Sequence, residues 1–283
     1  MELNIIHISD LHFGAIGSKN ILESLALSID HLRPSRVIIS GDLTQRARRR
    51  EFEAAKQFIE PFNEKCRTVP GNHDLEPWWK PVKRLFNPQL SYRYHFGSDT
   101  SEILEGAKVG LVYLDSSNEK YIQGGKIEDE YLKSSLLHLN PSAVDWLIIV
   151  SHHPLLHTPS IRKKKLCKIN TDVLIKLTQP FERVIFLAGH THAHLLYEIE
   201  RDGDRALISN VCGTTTSFRT RRSGRNCNTF TNLRFSPTGD LIVDMYLYEI
   251  ESGRWLQNDQ LSRTFQGHKV GDLSRSMYNS EEI

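Results

Sequence analysis

Short, continuous apolar runs recur along the chain, each about as long as one strand. In the first two thirds they cover residues 3–8, 37–39, 67–69, 109–114, 146–150 and 184–187. Such runs are typical of strands that are buried on both faces, as in a sheet covered by helices. The pattern therefore predicts an α/β fold.

Two segments between the early runs have a helical period instead. Apolar side chains recur every three or four positions over residues 21–31 and again over residues 50–62. This spacing places them on one face of a helix that packs against a sheet. The amino-terminal part of the chain is therefore predicted to be a βαβαβ unit.

The carboxyl half has a different pattern, in which short polar segments separate the apolar runs. Its apolar runs lie at 195–199, 205–208, 230–235 and 241–248, and polar segments at 202–204 and 236–240 separate them. Because these segments are typical of hairpin turns, we expect a second, more antiparallel sheet. Two packed sheets with helices outside them would form a four-layer αββα sandwich with two mixed β-sheets.

Composition narrows the class of protein only a little. The chain has 283 residues and a formal net charge of +2, which gives no global attraction to nucleic acid or to an anionic membrane. We expect one domain over residues 1–265 and a polar tail over 266–283 that is disordered or docks onto another subunit. The four cysteines lack C-x-x-C spacing, and neither a signal peptide nor a membrane-length apolar run is visible. These features predict a cytoplasmic protein with reduced thiols.

Polar clusters follow the apolar runs at the points where the predicted strands end. Their side chains are carboxylates, an amide and imidazoles, the groups that bind divalent metals: Asp10, His12, Asp42, Asn72, His73, Asp74, His152, His190 and His192. The carboxyl ends of parallel strands gather loops into one crevice. Dispersed ligands of this kind suit a two-metal site with ions roughly 3.5 to 4 Å apart. We therefore predict a dinuclear metal site at the strand C-terminal ends.

Asp42 follows Gly41 directly and is a candidate to bridge two ions. We expect its two oxygens to face one metal each, with the glycine allowing close approach of the backbone. Each cluster alone has an ordinary alternative, namely a turn aspartate or a surface histidine. The combination of clusters in strand context favours the metal site.

The clusters, in order, resemble those of the calcineurin-like metallophosphoesterase superfamily, whose pattern is D-x-H, G-D, G-N-H followed by D or E, H, and G-H-x-H. The resemblance covers residues 10–192. It implies that one metal is held by Asp10, His12, Asp42 and His192. It implies that the other metal is held by Asp42, Asn72, His152 and His190.

The same resemblance implies how the chemistry proceeds. His73 would protonate the leaving group and Asp74 would orient His73, while a hydroxide shared by the two metals attacks phosphorus in line. The mixed oxygen and nitrogen ligands admit manganese, iron or zinc alike, and we expect manganese. His153 is the alternative to His152 as a ligand, since the two are adjacent.

The segments Ile-Ser-Asp-Leu-His-Phe-Gly and Val-Pro-Gly-Asn-His-Asp look most like those of class III cyclic nucleotide phosphodiesterases. This resemblance implies hydrolysis of a small phosphodiester such as 3',5'-cAMP, with no stable nucleic-acid partner. The alternatives are a nucleotide-linked lipid pyrophosphate of the UDP-diacylglucosamine type, a DNA end, and a non-catalytic binding scaffold. A homodimer stays an open alternative to a monomer.

Other features surround the predicted site. Basic stretches lie at 46–50, 162–168 and 219–225, either as solvated loops or as a rim that attracts phosphates. An aromatic insertion at 77–96 is either a helical cap packed on the core or a stacking surface for a base or lipid. We expect His7 to be a packed, hydrogen-bonded core residue and His194 to lie in the outer shell of the site or in solvent.

Overall fold

Helices and strands occupy most of the part of the chain that the structure describes. The structure is a computed structural model, and it describes residues 3–98, 101–117, 124–157, 161, 165–200, 206–218, 227–237 and 239–265. The helices are α1 Lys19–Leu32, α2 Arg49–Ile59, α3 Pro81–Phe86, α4 Leu90–Phe96, α5 Asp129–Leu136 and α6 Thr171–Thr178. The strands are β1 Leu3–Ile8, β2 Arg36–Ile39, β3 Cys66–Thr68, β4 Ser101–Leu104, β5 Val109–Leu114, β6 Gly125–Lys126, β7 Trp146–Ser151, β8 Cys167–Lys168, β9 Arg183–Ala188, β10 Leu195–Glu200, β11 Ala206–Val211, β12 Thr229–Phe235, β13 Leu241–Glu249, β14 Arg254–Gln257 and β15 Arg263–Phe265.

The first sheet begins with the predicted βαβαβ unit. Strands β1, β2 and β3 lie side by side and parallel, with α1 and α2 as their connections. The sheet order is β14-β13-β12-β1-β2-β3, with β15 paired to β13. The second sheet has the order β10-β11-β9-β7-β5-β4, in which β5, β7, β9 and β11 are parallel and β4 and β10 are antiparallel.

The carboxyl-terminal strands do not form a sheet of their own, so that expectation is wrong. Strand β12 pairs with β1, in the register Ile5 to Leu233, while β11 pairs with β9, in the register Ile185 to Ile208. The turn signals at 202–204 and 236–240 predict only local hairpin partners. Each sheet has a set of parallel strands with an open edge, and the carboxyl-terminal strands pair with these edges. Both sheets therefore contain parallel and antiparallel pairs.

The two sheets pack face to face, and the side chains alternate between the two faces of each strand. On β1, Ile5 points into the core between the sheets, whereas Ile6 and Ile8 contact the layer of α1 and α2. On β7, Ile148 lies between the sheets and Ile149 contacts the layer of α5 and α6. The result is the predicted four-layer αββα sandwich.

Helix boundaries follow from local chemistry. The side chain of Ser18 accepts a hydrogen bond from the N–H of Ile21 and caps α1, which ends where Arg33 adopts a left-handed conformation. The second helical pattern was predicted to run to residue 62, but α2 ends at Ile59. A 3₁₀ helix, Glu60–Lys65, continues from it, because Pro61 lacks the N–H that an α-helix interior needs.

The sheets bring the carboxyl ends of their parallel strands to a common edge. The segments after β1, β2 and β3 in one sheet and after β7, β9 and β11 in the other all lie there. Within the described ranges, no helix combines the length and apolar character required to cross a membrane.

Candidate metal centre

The predicted ligand residues meet at this edge in two neighbouring groups. The ligand atoms of the first group lie within 4.8 Å of one another and come from Asp10, His12, Asp42 and His192. His152, His153 and His190 form the second group under the same limit. Apart from His192, these side chains are buried, so the cluster is shielded from bulk water.

The loops that carry these side chains have an unusual backbone. Five of the candidate ligands have a positive φ: Asp10 (52°), His12 (49°), Asp42 (53°), His190 (66°) and His192 (58°). Each such residue costs about 1–3 kcal/mol when it is not glycine. The surrounding loops hold them there, for example through the N–H of His12, which donates to the carbonyl of Asp42 at 2.9 Å. Strain concentrated at a cluster of this kind is typical of a functional site.

Atoms of the first group converge on a small volume. The Oδ1 atom of Asp10 lies 3.1 Å from Nε2 of His192 and 3.7 Å from Nε2 of His12. The two Nε2 atoms are themselves 3.1 Å apart. Asp10 Oδ1 is buried and has no hydrogen-bond partner, although its other oxygen accepts from Ser9 Oγ at 2.7 Å and from the N–H of His190 at 2.9 Å. A buried carboxylate oxygen directed at two imidazoles fits a divalent cation.

The second group centres on His152. Its Nδ1–H donates to the carbonyl of Ser40 at 2.8 Å, which directs Nε2 into the cluster. That Nε2 atom lies 3.3 Å from Oδ1 of Asn72 and 3.2 Å from Nδ1 of His190. His153 differs, because its Nδ1 lies 3.0 Å from Oγ of Ser116 and its buried Nε2 has no hydrogen-bond partner. The contact with Asn72 is therefore made by His152.

Asp42 lies between the two groups. Its Oδ2 atom is 3.7 Å from Nε2 of His12 and 3.4 Å from Nε2 of His152. Its Oδ1 atom instead accepts the backbone N–H of His73 at 2.8 Å. The expectation that each oxygen faces one metal is therefore wrong, because one oxygen faces both groups and the other is engaged by the backbone.

Gly41 makes this arrangement possible. Its φ is +93°, and a Cβ atom there would lie 2.6 Å from Nδ1 of His152. No other residue type would fit between Asp42 and that imidazole without a shift. The predicted role of the glycine in close backbone approach is confirmed.

The electrostatics of the cluster favour charged carboxylates. Burial alone would raise the pKa of Asp10 and Asp42, but the nearby imidazoles, chiefly His192 and His152, hold both pKa values well below their usual range. Burial together with the charge of His152 lowers the pKa of His190 to about 3. The centre thus combines anionic oxygens with the neutral imidazole of His190. Against the effect of burial, Asp42 raises the pKa of His152 to about 9, and a bound divalent cation would take the place of that proton.

His73 lies at the rim of the first group and is half-buried. Its ring meets the ring of His12 edge-on, with centroids 4.9 Å apart. Its Nδ1–H donates to the carbonyl of Gln45 at 2.7 Å. Since that contact fixes the tautomer, Nε2 is the ring atom left for chemistry.

No hydrogen bond joins the carboxylate of Asp74 to the ring of His73, contrary to the expected orienting role. Its carboxylate accepts from the N–H groups of Leu43 (3.1 Å), Thr44 (2.8 Å) and Gly71 (3.0 Å), and from Thr44 Oγ1 (2.9 Å). The physical reason is that these buried backbone donors require an acceptor, while Gln45 already holds the imidazole. Burial and the charge of Asp42 raise the pKa of Asp74 to about 6.

A buried threonine segment supports the centre and was missed in the sequence. Thr214 Oγ1 donates to the carbonyl of Asp10 at 2.7 Å, and Thr216 Oγ1 donates to the carbonyl of Leu11 at 2.6 Å. The available signal was the run Gly213–Ser217, GTTTS, directly after an apolar strand. Consecutive hydroxyl side chains at a strand end are suited to hold a strained neighbouring loop.

The remaining predicted features have separate outcomes. His7 is confirmed as a core residue, since it is buried with Nε2 2.8 Å from Ser40 Oγ. His194 is partly buried. Lys165 Nζ donates to the carbonyl of His190 at 3.4 Å, which brings one predicted basic residue to the centre. The basic residues at 162–164 and 219–225, like the tail at 266–283, lie outside the described residues.

Comparison with known proteins gives the class of the chain. Residues 3–194 match the family model of calcineurin-like phosphoesterases, and the chain belongs to this family. Family membership implies a dinuclear divalent metal site, and the Asp and His cluster is the candidate for it. The chain is thus a metal-dependent phosphoester hydrolase.

Relatives of the chain have low sequence identity. It is 24% identical to a probable cyclic nucleotide phosphodiesterase of Vesicomyosocius okutanii subsp. Calyptogena okutanii, over 68% of this chain and 79% of that protein. It is also 24% identical to the glycerophosphodiester phosphodiesterase GpdQ of Enterobacter lignolyticus, over 66% of this chain and 70% of that protein.

The fold is shared with a larger plant enzyme. The structure of a purple acid phosphatase from yellow lupin seeds aligns with a TM-score of 0.68 at 13% identity. The alignment covers 94% of this chain but only 54% of that one, so the chain spans about half the length of the plant protein. This likeness concerns the fold alone.

Proposed function

We propose that the protein is a phosphodiesterase for small phosphodiesters, and that cyclic nucleotides such as 3',5'-cAMP are its substrates. The main observation in support of this proposal is the position of Asp42, whose Oδ2 atom faces His12 in one group and His152 in the other. A carboxylate shared by two ligand groups supports a two-metal hydrolase. The name of the first relative above supports the cyclic nucleotide.

The ligand sets are part of the proposal. Asp10, His12, Asp42 and His192 would hold one divalent cation, and Asp42, Asn72, His152 and His190 would hold the second. The buried Oδ1 atom of Asp10, which lacks a hydrogen-bond partner, supports the first set. When bound, the cations would activate water and neutralise charge on phosphate oxygens. Manganese is the first metal to test, with iron and zinc as alternatives.

His73 is the proposed proton donor. Its Nδ1–H is held by the carbonyl of Gln45, so its Nε2 can carry a proton to a departing alkoxide oxygen. The half-buried ring can reach a substrate at the rim of the centre. Asp74 supports this geometry indirectly, because it holds the backbone of residues 43, 44 and 71.

The experiment is a substrate panel with metal-reloaded protein. Protein stripped by a chelator and reloaded with manganese is assayed on bis(p-nitrophenyl) phosphate, cyclic nucleotides, a glycerophosphodiester, a nucleotide-linked lipid pyrophosphate and single-stranded DNA. We expect turnover of the model ester and of a cyclic nucleotide, lost on chelation and in Asn72→Ala. The matched control is His31→Ala, whose side chain is exposed on α1. Lack of metal-dependent turnover of any phosphodiester would indicate a binding scaffold.

A second candidate substrate is a nucleotide-linked lipid pyrophosphate. It is supported by the residues 77–96, in which Trp78, Phe86 and Tyr94 are exposed. The centre and the roles of its residues would be unchanged, but a pyrophosphate bond would be cleaved. Higher turnover of the lipid compound than of any cyclic nucleotide in the same panel would favour this candidate.

The cytoplasm is the proposed location. None of the four cysteines, which all lie in the described part of the chain, forms a disulfide, and this suits a reducing compartment.

A further inference from the structure

The insertion at residues 77–96, hereafter the cap, exposes an unusual amount of apolar surface. Trp78, Phe86 and Tyr94 are 78%, 81% and 84% exposed, and Val82 and Leu85 are 69% and 68% exposed. Monomeric soluble proteins seldom expose large apolar side chains in clusters, and such clusters mark interaction sites. The described residues elsewhere expose large apolar side chains at scattered positions, such as Leu137 and Ile250.

The charge of the cap is of one sign. It contains Lys80, Lys83, Arg84 and Arg93 and has no aspartate or glutamate, in a chain whose net charge is only +2. Lys80 is paired with Glu76, just before the cap, at 3.3 Å, so the charge offered to a partner comes from Lys83, Arg84 and Arg93. The amino-terminal end of α2 adds to this charge, because the guanidinium of Arg48 lies 6.0 Å from the ring centre of Trp79. Aromatic side chains interleaved with lysine and arginine are typical of segments that lie in the headgroup region of an anionic bilayer.

The underside of the cap is packed against the protein body. Tyr92 is buried, and its hydroxyl lies 2.6 Å from Oγ1 of Thr68. The ring of His95 stacks on Phe52 with centroids 5.2 Å apart and planes 11° apart. The exposed side chains are therefore the outer face of an anchored element. Of the two interpretations of residues 77–96, the packed helical cap describes the inner face, and the stacking surface describes the outer face.

The cap also lies beside the metal centre. It begins three residues after Asp74, and Gln89 Nε2 donates to Ser117 Oγ at 3.1 Å, on the loop that follows β5. Ser116 on this loop contacts His153. A surface that engages the cap would therefore lie next to the centre.

We propose that the cap is a docking surface for an anionic phospholipid bilayer. Its aromatic and aliphatic side chains enter the headgroup region, while Lys83, Arg84 and Arg93 contact lipid phosphates. A second copy of the chain is the less suitable occupant, because it would bring two cationic surfaces together without an intervening acid. The proposal concerns binding and is independent of which phosphodiester the centre hydrolyses.

The test measures binding of the full chain to vesicles by co-sedimentation. We expect binding to vesicles of phosphatidylglycerol, little binding to vesicles of phosphatidylcholine, and weakening with added salt. Phe86→Ala is expected to weaken the affinity by about tenfold, because it removes an inserted aromatic ring. Lys83→Glu is expected to weaken it by about tenfold or more, because a cation becomes an anion.

Matched controls separate the cap from general surface hydrophobicity. Leu137→Ala and Ile250→Ala remove side chains of 77% and 80% exposure elsewhere and should leave the affinity within about twofold. Brominated lipid should quench tryptophan fluorescence, since Trp78 and Trp79 are exposed while Trp146 and Trp255 are buried. Turnover of bis(p-nitrophenyl) phosphate, an ester without a lipid chain, should be the same in all four variants in the absence of vesicles, which keeps this test separate from the proposed function.

Three outcomes would overturn the proposal. The first is no binding to phosphatidylglycerol vesicles, and the second is equal binding by Phe86→Ala, Lys83→Glu and the controls. The third is self-association of the chain, seen by analytical ultracentrifugation without lipid and lost in Phe86→Ala. That result would assign the cap to a second copy.

Discussion

The backbone N–H of His73 donates a hydrogen bond of 2.8 Å to Oδ1 of Asp42. This bond fixes the proposed proton donor to the carboxylate that faces both ligand groups. It also orients that carboxylate, because Oδ2 is then directed at Nε2 of His12 and Nε2 of His152. In the proposed mechanism, metal binding and proton donation are thus linked through the side chain of Asp42.

Asp42→Asn should abolish binding of both metals. The substitution removes the negative charge that both groups share, whereas His12→Ala affects one group. We expect the manganese content to fall from about two per chain to near zero in Asp42→Asn, and to about one in His12→Ala. Elemental analysis after gel filtration with limiting manganese measures this.

The surface variant His31→Ala is the control for folding and handling, and it should keep the full metal content. Circular dichroism should show that Asp42→Asn is folded. Retention of about two metals by folded Asp42→Asn would contradict the shared role of its carboxylate.

His73→Ala should slow substrates according to their leaving groups. A cyclic nucleotide leaves as a basic alkoxide and needs a proton, whereas nitrophenolate does not. We expect kcat to fall by about 10²–10⁴-fold on the cyclic nucleotide and by much less on bis(p-nitrophenyl) phosphate, with the metal content unchanged. Steady-state kinetics on the two esters measures the difference. Equal slowing of both esters would contradict proton donation by His73.

Asp74→Asn should reduce the stability of the fold but leave the ratio of kcat on the cyclic nucleotide to kcat on bis(p-nitrophenyl) phosphate nearly unchanged. The carboxylate now accepts hydrogen bonds from the N–H groups of Leu43, Thr44 and Gly71. In the variant, the NH₂ group of the asparagine would face at least one of these N–H groups, and neither could accept a hydrogen bond from the other. We expect a loss of about 2–4 kcal/mol in the free energy of unfolding. Urea unfolding of metal-free protein at pH 8 measures this loss. Burial and the charge of Asp42 raise the pKa of Asp74 to about 6, so the carboxylate is charged at pH 8.

The control for this variant is Asp145→Asn, because the side chain of Asp145 is exposed, and its stability should change by less than about 0.5 kcal/mol. If Asp74 instead orients His73, Asp74→Asn would lose the discrimination between alkoxide and nitrophenolate as His73→Ala does. The kinetic comparison therefore distinguishes bracing of the loops from orientation of the imidazole.

The position of the centre is predictable from the sequence because the direction of the strands determines it. The apolar runs mark strands such as β1 and β7, and the residues that follow parallel strands meet at one edge of a sheet. Asp10 and His152 could therefore be expected to lie near each other, although they are 142 positions apart in the sequence. Their atomic roles are less predictable, since the choice of Asp42 Oδ2 over Oδ1 depends on a backbone N–H.

The partners of several residues leave no pattern in the sequence. The imidazole of His73 is held by the carbonyl of Gln45, and every residue type has a carbonyl. The pairing of β12 with β1 joins segments about 230 positions apart, and apolar runs do not encode which open edge they join. The left-handed conformations of Asp10 and Asp42 are likewise set by tertiary hydrogen bonds, because neither residue is a glycine.

A carboxylate also joins the two sheets far from the centre. Glu102 on β4 accepts from Arg36 Nη2 on β2 at 2.7 Å and from the hydroxyl of Tyr113 at 2.7 Å, and Arg67 Nε lies 3.5 Å away. Burial of Glu102 raises its pKa, but the hydrogen bonds from Arg36 and Tyr113 outweigh burial and leave the pKa below its ordinary value of 4.5. The charged form of Glu102 therefore stabilises the fold.

Glu102→Gln should destabilise the protein at pH 7 and have less effect in acid. We expect a loss of about 2 kcal/mol in the free energy of unfolding at pH 7, since charge-assisted hydrogen bonds are replaced by neutral ones. Because the folded pKa is lowered, the stabilisation is present above pH 4.5 and is lost as the pH falls through the folded pKa. Urea unfolding of both proteins across this range measures the difference, with Glu53→Gln in the exposed pair with Arg49 as a control that should cost less than about 1 kcal/mol. A difference that stays constant from pH 7 into the acid range would show that the charge of Glu102 does not join the sheets.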